Sequence, residues 1–267
     1  MATIVSIDDP ADPRIAAYRD IREHDLVGRE RLFIAEGEVV VRLLAGGSLH
    51  RPLSLFLAEK RLAALADVVD RLPGSVPVYA APQAVMDTIA GFPIHRGILG
   101  LGRRRDMPSA HALLAGAGRR AMVPVLCAIA NHDNMGGVFR NAAAFGAAFV
   151  LLDSDCCDPL YRKAIRVSAG NALAVRFARL ERGADLLDVL EAHGFEAIAL
   201  SPTGGMSLAE TPRPDRLALL FGAEGPGLPE AILRRARTVR IPIVAGVDSL
   251  NVATASGIVL HHFAGKN

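Results

Sequence analysis

The chain has 267 residues, of which 51% are apolar, so it has enough material for one large or two small folded domains and is not intrinsically disordered. Its net charge of +2 neither demands nor excludes a nucleic-acid partner. Cys127, Cys156 and Cys157 offer no disulfide framework and no metal-site spacing, and without a signal-peptide pattern or a membrane-length apolar run we expect a soluble, cytoplasmic protein with no metal and no membrane partner.

Residues 1–106 alternate between strand and helix patterns, which predicts a small α/β domain. A helix and loop are predicted in DPRIAAYRDIREHDLVGRE. A strand over Leu32–Ala35 then precedes a helix that starts at Glu38 and stops at Gly46 and Gly47. The later patterns are a strand and a helix in PLSLFLAEKRLAALADVVDRL, a strand in VPVYAA, a helix in PQAVMDTIAG and a strand in RGILGLGRR.

Residues 107–120 are rich in Gly and Ala and form the predicted linker to a second domain over residues 121–267. Its first strand, AMVPVLCAIA, is almost wholly apolar, as buried parallel strands are. The further predicted strands are FVLLD, EAIALS, LALLFG and VRIPI, and the predicted helices are Gly136–Phe145, Tyr161–Ala169, Ala184–His193, Pro229–Arg235 and Asn251–Phe263. This alternation predicts an open, doubly wound parallel sheet, which binds ligands at the carboxyl ends of its strands.

Three loops at those strand ends carry uncommon polar residues and glycines. NHDNMGGVFRNAAAFG holds Asn134 and Arg140, LLFGAEGPGLPE holds Glu224, and VDSLNVATASG holds Ser249 and Asn251. Each loop also has a purely structural interpretation. The Asn and Ser residues can cap helices, Arg140 can lie on a solvated face, and Glu224 can be a surface carboxylate in a glycine-rich turn.

Together the loops resemble three motifs of one enzyme family, the SpoU (TrmH-like) branch of the SPOUT RNA methyltransferases. Asn134-x-Gly136-x-x-x-Arg140 followed by Ala-Phe-Gly resembles motif 1. Phe221-Gly222-x-Glu224-Gly225-x-Gly227-Leu228 resembles motif 2, and Ile241-Pro242 followed by Ser249-Leu250-Asn251-Val252 resembles motif 3. The likeness runs from about residue 122 to residue 263. FIAEGEVVVRLLAGG and RGILGLG are similar, more loosely, to the L30e-like RNA substrate-binding domain of many members.

The resemblance implies a C-terminal open parallel α/β sheet with a deep trefoil knot, preceded by a small L30e-like α/β domain. It also implies S-adenosylmethionine as the cofactor, tRNA or rRNA as the substrate, and a homodimer as the active form. By the same resemblance, the residues that hold the cofactor are Leu200, Ser201, Leu220, Phe221, Gly222, Gly225, Gly227, Ile241, Pro242 and Leu250.

SpoU enzymes mostly methylate a ribose 2′-hydroxyl, and by similarity Arg140 is the catalytic residue beside that ribose and its phosphate. Because arginine stays protonated in proteins, we interpret it as a charge that lowers the pKa of the hydroxyl, and the base stays open. Asn134, Glu224, Ser249 and Asn251 match the polar residues that orient the arginine and the ribose. RNA contacts are expected from the first domain and from Arg103–Arg105.

Two other functions stay open on the sequence alone. One is a catalytically silent RNA-binding relative with the same fold, against which the intact Arg140, Glu224, Ser249 and Asn251 argue. The other is a nucleotide-binding oxidoreductase, against which the missing GxGxxG after the first strand counts. The chain also departs from the family at Ala253, where many members carry a small hydroxyl residue.

Overall fold

The computed structural model describes residues 2–19, 27–28, 30–89, 97–244 and 246–265. The chain forms two compact units. Unit 1 comprises Met1–Asp106 and Asp158–Ala174, and unit 2 comprises Met107–Cys157 and Val175–Asn267. In the part of the chain that the structure describes, no helix is both long and apolar enough to cross a membrane.

Unit 1 is built on a mixed five-stranded sheet in the order β1-β4-β3-β5-β2. The strands are β1 (Ile4–Ser6), β2 (Leu32–Glu36), β3 (Arg51–Ala58), β4 (Val78–Ala81) and β5 (Ile98–Arg103). β5 runs antiparallel to β2 and β3, whereas β4 is parallel to β1 and β3. The helices are α1 (Glu38–Gly46), α2 (Ala66–Arg71) and α3 (Gln83–Ile89), and 3₁₀ turns occupy Pro13–Tyr18, Glu59–Arg61 and Ala63–Leu65.

Glycines in β5 set how closely its neighbours pack on one face of this sheet. A Cβ atom added at Gly102 would lie 2.2 Å from Cζ of Phe33, and one added at Gly100 would lie 3.0 Å from Cδ2 of Leu44 in α1. The opposite face buries Leu99 and Leu101 of β5 in the apolar core. Small residues on one face and large ones on the other therefore explain the alternating Leu-Gly-Leu-Gly pattern of residues 99–102.

Residues 158–174 join unit 1 although they lie within the predicted second domain. They form a helix over Arg162–Val167 and a 3₁₀ turn over Asn171–Leu173. Asp158 forms an ion pair of 2.6 Å with Arg104, and the backbone N–H of Leu49 donates to the carbonyl of Leu173 at 2.8 Å. These contacts explain why the segment belongs with residues 1–106 and not with its neighbours in sequence.

Unit 2 contains a seven-stranded, wholly parallel sheet in the order β10-β12-β9-β11-β6-β7-β8. The strands are β6 (Ala121–Leu126), β7 (Val150–Leu152), β8 (Phe177–Arg179), β9 (Glu196–Leu200), β10 (Met206–Ser207), β11 (Arg216–Phe221) and β12 (Arg237–Arg240). The helices are α4 (Ala110–Ala115), α5 (His132–Ala144), α6 (Leu186–Ala192), α7 (Glu230–Arg235) and α8 (Val252–Ala264), with a 3₁₀ turn at Leu208–Glu210. The predicted parallel α/β sheet is confirmed.

Several predicted boundaries differ from the structure. Residues 107–120 are not a plain linker, because Ser109 caps α4 and that helix buries Leu113 and Leu114 in the core of unit 2. The predicted helix after Asp12 is a short 3₁₀ turn, and the rest of that prediction falls partly on residues 20–26 and 29, outside the described residues. The sequence patterns also missed β1, β8 and β10, which are only two or three residues long.

Candidate active site

A cavity of about 550 Å³ lies where the adjacent strands β12, β9 and β11 reach their carboxyl ends. Its walls come from the segments that follow these three strands and from the start of α8. The lining residues are Leu200, Ser201, Pro202, Thr203, Phe221, Gly222, Ala223, Glu224, Gly225, Pro226, Gly227, Leu228, Leu233, Val239, Ile241, Ile243, Ser249, Leu250, Asn251, Val252 and Ala255. The position is the one at which parallel α/β sheets bind ligands.

The loop after β11 needs its glycines for geometric reasons. A Cβ atom at Gly222 would lie 2.3 Å from the carbonyl carbon of Gly227, because the chain folds back on itself there. Gly225 and Gly227 have φ angles of 83° and 69°, which side chains disfavour. The N–H of Gly227 closes the turn by donating to the carbonyl of Ala223 at 3.0 Å. The loop therefore presents backbone to the cavity instead of bulky side chains.

Asn251 connects the three motif segments through its side-chain amide. Its Oδ1 accepts from the backbone N–H groups of Ala253 at 2.9 Å and Thr254 at 3.3 Å, and so caps α8. Its Nδ2 donates to Oδ1 of Asn134 at 2.8 Å and to Oε1 of Glu224 at 3.0 Å. The cap fixes which end of the amide is the oxygen, so the NH₂ group must face the other two side chains.

The structural interpretation of Asn134 was that it caps α5, but the cap is a different residue. Asn131 takes that role, with Oδ1 accepting from the N–H groups of Asp133 at 2.8 Å and Asn134 at 3.3 Å, and the helix starts at His132 instead of Gly136. Asn134 thus lies in the first turn and is 4% exposed. A buried amide needs a partner, and Asn251 supplies it.

Arg140 lies on α5 with its side chain exposed. Among the described residues, no hydrogen bond or ion pair engages its guanidinium group, and it does not line the cavity. It does not take part in the hydrogen bonds that link Asn134, Glu224 and Asn251. The guanidinium is therefore available to an external anion rather than committed to a carboxylate of the same unit.

The structure brings most of the predicted site residues to one cavity. Of the predicted catalytic residues, Glu224, Ser249 and Asn251 line it, Asn134 is hydrogen-bonded to Asn251, and Arg140 does neither. Of the predicted cofactor-binding residues, two do not line it: Leu220, which is fully buried in the core, and Pro242. The other eight do. Lining residues that the sequence analysis missed include Thr203, Leu228 and Val239. Thr203 and Leu228 follow predicted strands and could have been found by that position, whereas Val239 begins the predicted strand VRIPI.

The cysteines near the strand ends are not suited to catalysis. Cys127, directly after β6, is buried, and burial raises the pKa of its thiol to about 12. Burial also raises the pKa of the Cys156 thiol, whose sulfur donates to the carbonyl of Leu126 and accepts from the N–H of Ile129. Neither thiol forms the nucleophilic thiolate near neutral pH.

The chain matches known proteins over both units. The profile of the SpoU rRNA Methylase family matches residues 121–261. The chain is 42% identical over 264 residues to an uncharacterised tRNA/rRNA methyltransferase of Mycobacterium bovis, Mb0905, covering 95% of this chain and 89% of that one. It is also 28% identical over 226 residues to the 23S rRNA (guanosine-2′-O-)-methyltransferase RlmB of Acinetobacter baylyi, covering 79% of this chain and 88% of that one.

Solved structures agree with the fold. An AdoMet-bound rRNA methyltransferase from Sinorhizobium meliloti superimposes with a TM-score of 0.79 at 24% identity, covering 97% of both chains. An RNA 2′-O ribose methyltransferase gives 0.76 at 25% identity, covering 97% of this chain and 98% of that one. With the family profile spanning all three motif loops, this chain belongs to the SpoU rRNA methylase family.

Proposed function

We propose that the protein transfers a methyl group from S-adenosylmethionine to a ribose 2′-hydroxyl of tRNA or rRNA. The observation that carries the proposal is the hydrogen-bonded group of Asn134, Asn251 and Glu224 at the edge of a cavity built from the family motifs. The printed names of RlmB and of the RNA 2′-O ribose methyltransferase support the ribose as the target.

The cavity suits S-adenosylmethionine in size and chemistry. Its volume of about 550 Å³ is typical of sites for small organic ligands. Apolar side chains such as Leu200, Phe221 and Ile241 suit the adenine ring, and the glycine-rich loop exposes backbone groups for hydrogen bonds. Glu224 is the one ionisable side chain among the described lining residues, so the cavity is negative and favours a sulfonium cation.

Bound there, the cofactor supplies an electrophilic methyl group. The chain's own residues then have to bind the ribose, orient its 2′-hydroxyl and stabilise the negative charge that develops on that oxygen. We assign charge stabilisation to Arg140, whose guanidinium is exposed and lacks an acidic partner in the described chain. We assign orientation of the ribose to Asn134, Glu224, Ser249 and Asn251. The proton acceptor is not assigned to a residue.

The same charge pattern disfavours the oxidoreductase alternative. A dinucleotide carries a pyrophosphate, which proteins usually bind with a glycine-rich helix N-terminus or with basic side chains. In the described part of the chain, neither lysine nor arginine lines the cavity, and Glu224 would repel phosphate.

We further infer a trefoil knot around the cavity, an L30e-like RNA-binding role for unit 1, and a homodimeric active form. The knot is supported by the insertion of β12 between β9 and β10 and by the packing of α8 on α5, near the start of unit 2. Unit 1 offers Arg103 and Arg105, both exposed, for phosphate contacts.

The test is a binding and transfer experiment with one protein preparation. Titration calorimetry with S-adenosylmethionine should give a single site per chain. Incubation with methyl-labelled cofactor should then label unmodified tRNA or rRNA transcripts. Binding without transfer to either RNA pool would favour the silent relative. Failure to bind the cofactor, together with binding of NAD or NADP, would favour the oxidoreductase.

A further inference from the structure

The crossing of α5 and α8 contains a second polar group, separate from the one at the cavity. The amide Nδ2 of Asn141 donates to the backbone carbonyl of Ala253 at 2.8 Å and to Oγ of Ser256 at 2.9 Å. The hydroxyl of Ser256 in turn donates to the same carbonyl of Ala253 at 2.7 Å. The three groups form a closed triangle between the two helices.

The two helices meet closely at this crossing. A Cβ atom added to Gly137 would lie 2.5 Å from Cβ of Ala253, so only a residue without a side chain fits there. One turn further along, the side chain of Asn141 packs 3.2 Å from the position of an added Cβ on Gly257. Ser256 is fully buried, and a buried hydroxyl and amide are costly unless they are hydrogen-bonded.

The triangle lies one turn from the side chain that links the motif segments. Ala253 contributes its carbonyl to the triangle and its N–H to the cap that Asn251 makes. The position of this first turn therefore decides where the Asn251 amide points and whether it reaches Asn134 and Glu224. On α5, Asn141 directly follows Arg140, so the same contact also fixes the backbone that carries the arginine.

We propose that Asn141 and Ser256 are positioning residues that fix the first turn of α8 and thereby hold Asn251 against Asn134 and Glu224. Neither residue touches the cavity, so their effect on methyl transfer is indirect. The proposal rests on the proposed function for its catalytic consequence, but its structural half stands alone. It also accounts for Ala253, since a small side chain is what the contact with Gly137 allows.

The experiment compares three variants of the full chain. Asn141→Leu removes the donor with little change in volume, and Ser256→Ala removes the hydroxyl. Asn171→Leu is the matched control, because Asn171 is also half-buried and donates its Nδ2 to a backbone carbonyl, that of Ser168, at 2.7 Å. Each variant is measured for amide hydrogen exchange, cofactor affinity and methyl-transfer kinetics.

We expect faster exchange of the Ala253 and Thr254 amides in Asn141→Leu and Ser256→Ala, because these amides donate to Asn251. We also expect kcat to fall about 10- to 100-fold with the cofactor affinity within about threefold, since a misplacement of about 1 Å can slow catalysis about 100-fold. The Asn171→Leu control should change neither the exchange of these amides nor kcat.

Unchanged exchange at Ala253 and Thr254 would overturn the proposal, as would faster exchange with normal kcat. If Asn141→Leu does not fold, Ser256→Ala decides alone, because it removes only one buried oxygen. If the wild-type protein transfers no methyl group to any RNA, the proposed function fails, while the exchange measurement still decides whether Asn141 and Ser256 hold the first turn of α8.

Discussion

Arg140 combines three properties that suit it to contact an anion. Its side chain is exposed, it stands six residues after Asn134 as in motif 1, and within the described chain it has no acidic partner. An unpaired guanidinium can engage a phosphate or a developing oxyanion without first breaking an internal ion pair.

The substitution Arg140→Ala should slow methyl transfer strongly and leave the cofactor site intact. We expect kcat to fall about 10²- to 10³-fold, as for the loss of one stabilising donor, with cofactor affinity almost unchanged because Arg140 does not line the cavity. Calorimetry and a transfer assay on the same preparation measure both. Arg140→Lys keeps the charge and loses the planar guanidinium, so its kcat should lie between those of the wild type and Arg140→Ala. Normal turnover of Arg140→Ala would remove Arg140 from the mechanism.

Asn251 has two functions that one substitution can separate. Asn251→Asp keeps an oxygen that caps α8, but it places a carboxylate against Oδ1 of Asn134 and Oε1 of Glu224. We expect α8 to stay capped, since Asp and Asn cap equally well, and kcat to fall at least about tenfold. Asn251→Ala, the control, should lose the cap as well, at about 1 kcal/mol. A fully active Asn251→Asp enzyme would show that the amide donor is dispensable.

His50 makes the stability of unit 1 depend on pH. It is buried, and burial with the nearby Arg104 charge lowers the pKa of its imidazole to about 4, below the unfolded value of 6.5. The unfolded chain therefore binds the proton more readily, so this contribution to stability is complete above about pH 6.5 and is lost as the pH falls towards 4.

Between pH 7 and pH 5 we expect the unfolding free energy of the wild type to fall by about 2 kcal/mol through this group. His50→Gln cannot titrate and should have a shallower pH dependence over the same range, although it is less stable at pH 7. Urea unfolding at the two pH values measures the difference. Equal slopes for the two proteins would mean that His50 is not buried as a neutral base.

The packing of α5 on α8 depends on the pair Gly137 and Ala253. Gly137→Ala places two Cβ atoms 2.5 Å apart, and we expect a net loss of up to about 2 kcal/mol after the gain in helix propensity. Adding Ala253→Gly should recover part of the loss, which a double-mutant cycle by thermal unfolding quantifies. Gly46→Ala, with open space around the new Cβ, is the control and should be neutral or stabilising. Additive effects would exclude a direct contact.

The sequence predicted helices and strands well where the apolar pattern was strong. The apolar runs of β6 and β11 and the pattern of α8 predicted elements that the structure confirms. The start of α5 was misplaced, because Asn131 and Asn134 are equally good caps by residue type. Asn131 caps the helix, so Asn134 is an internal residue, and its buried amide is paired by Asn251, 117 residues away. Local patterns hold no information about such a contact.

The two units of the molecule are not continuous in sequence. Residues 158–174 lie between two strands of unit 2, yet they bury Leu160, Ile165 and Leu173 completely as part of unit 1. The sequence-based prediction assumed that each domain is continuous and so placed them in the second domain. The contacts with residues 1–106 arise from tertiary packing, which neither composition nor spacing reveals.

A fragment that starts at residue 107 should therefore be less soluble and less stably folded than the full chain. It keeps the segment 158–174 and removes the residues that cover it, so we expect aggregation and weaker protection from proteolysis than in the full chain. A matched fragment with Leu160, Ile165 and Leu173 replaced by Gln should be more soluble. Light scattering of both fragments tests this. A monodisperse, protease-resistant wild-type fragment would contradict the assignment of this segment to unit 1.

We propose that the ribose, and not a base, receives the methyl group. The most direct measurement is alkaline hydrolysis of RNA that the protein has labelled from methyl-labelled S-adenosylmethionine. A 2′-O-methyl group blocks cleavage of the adjacent phosphodiester, so we expect the label in an alkali-resistant dinucleotide. Recovery of the label in mononucleotides would place the methyl group on a base and contradict ribose methylation.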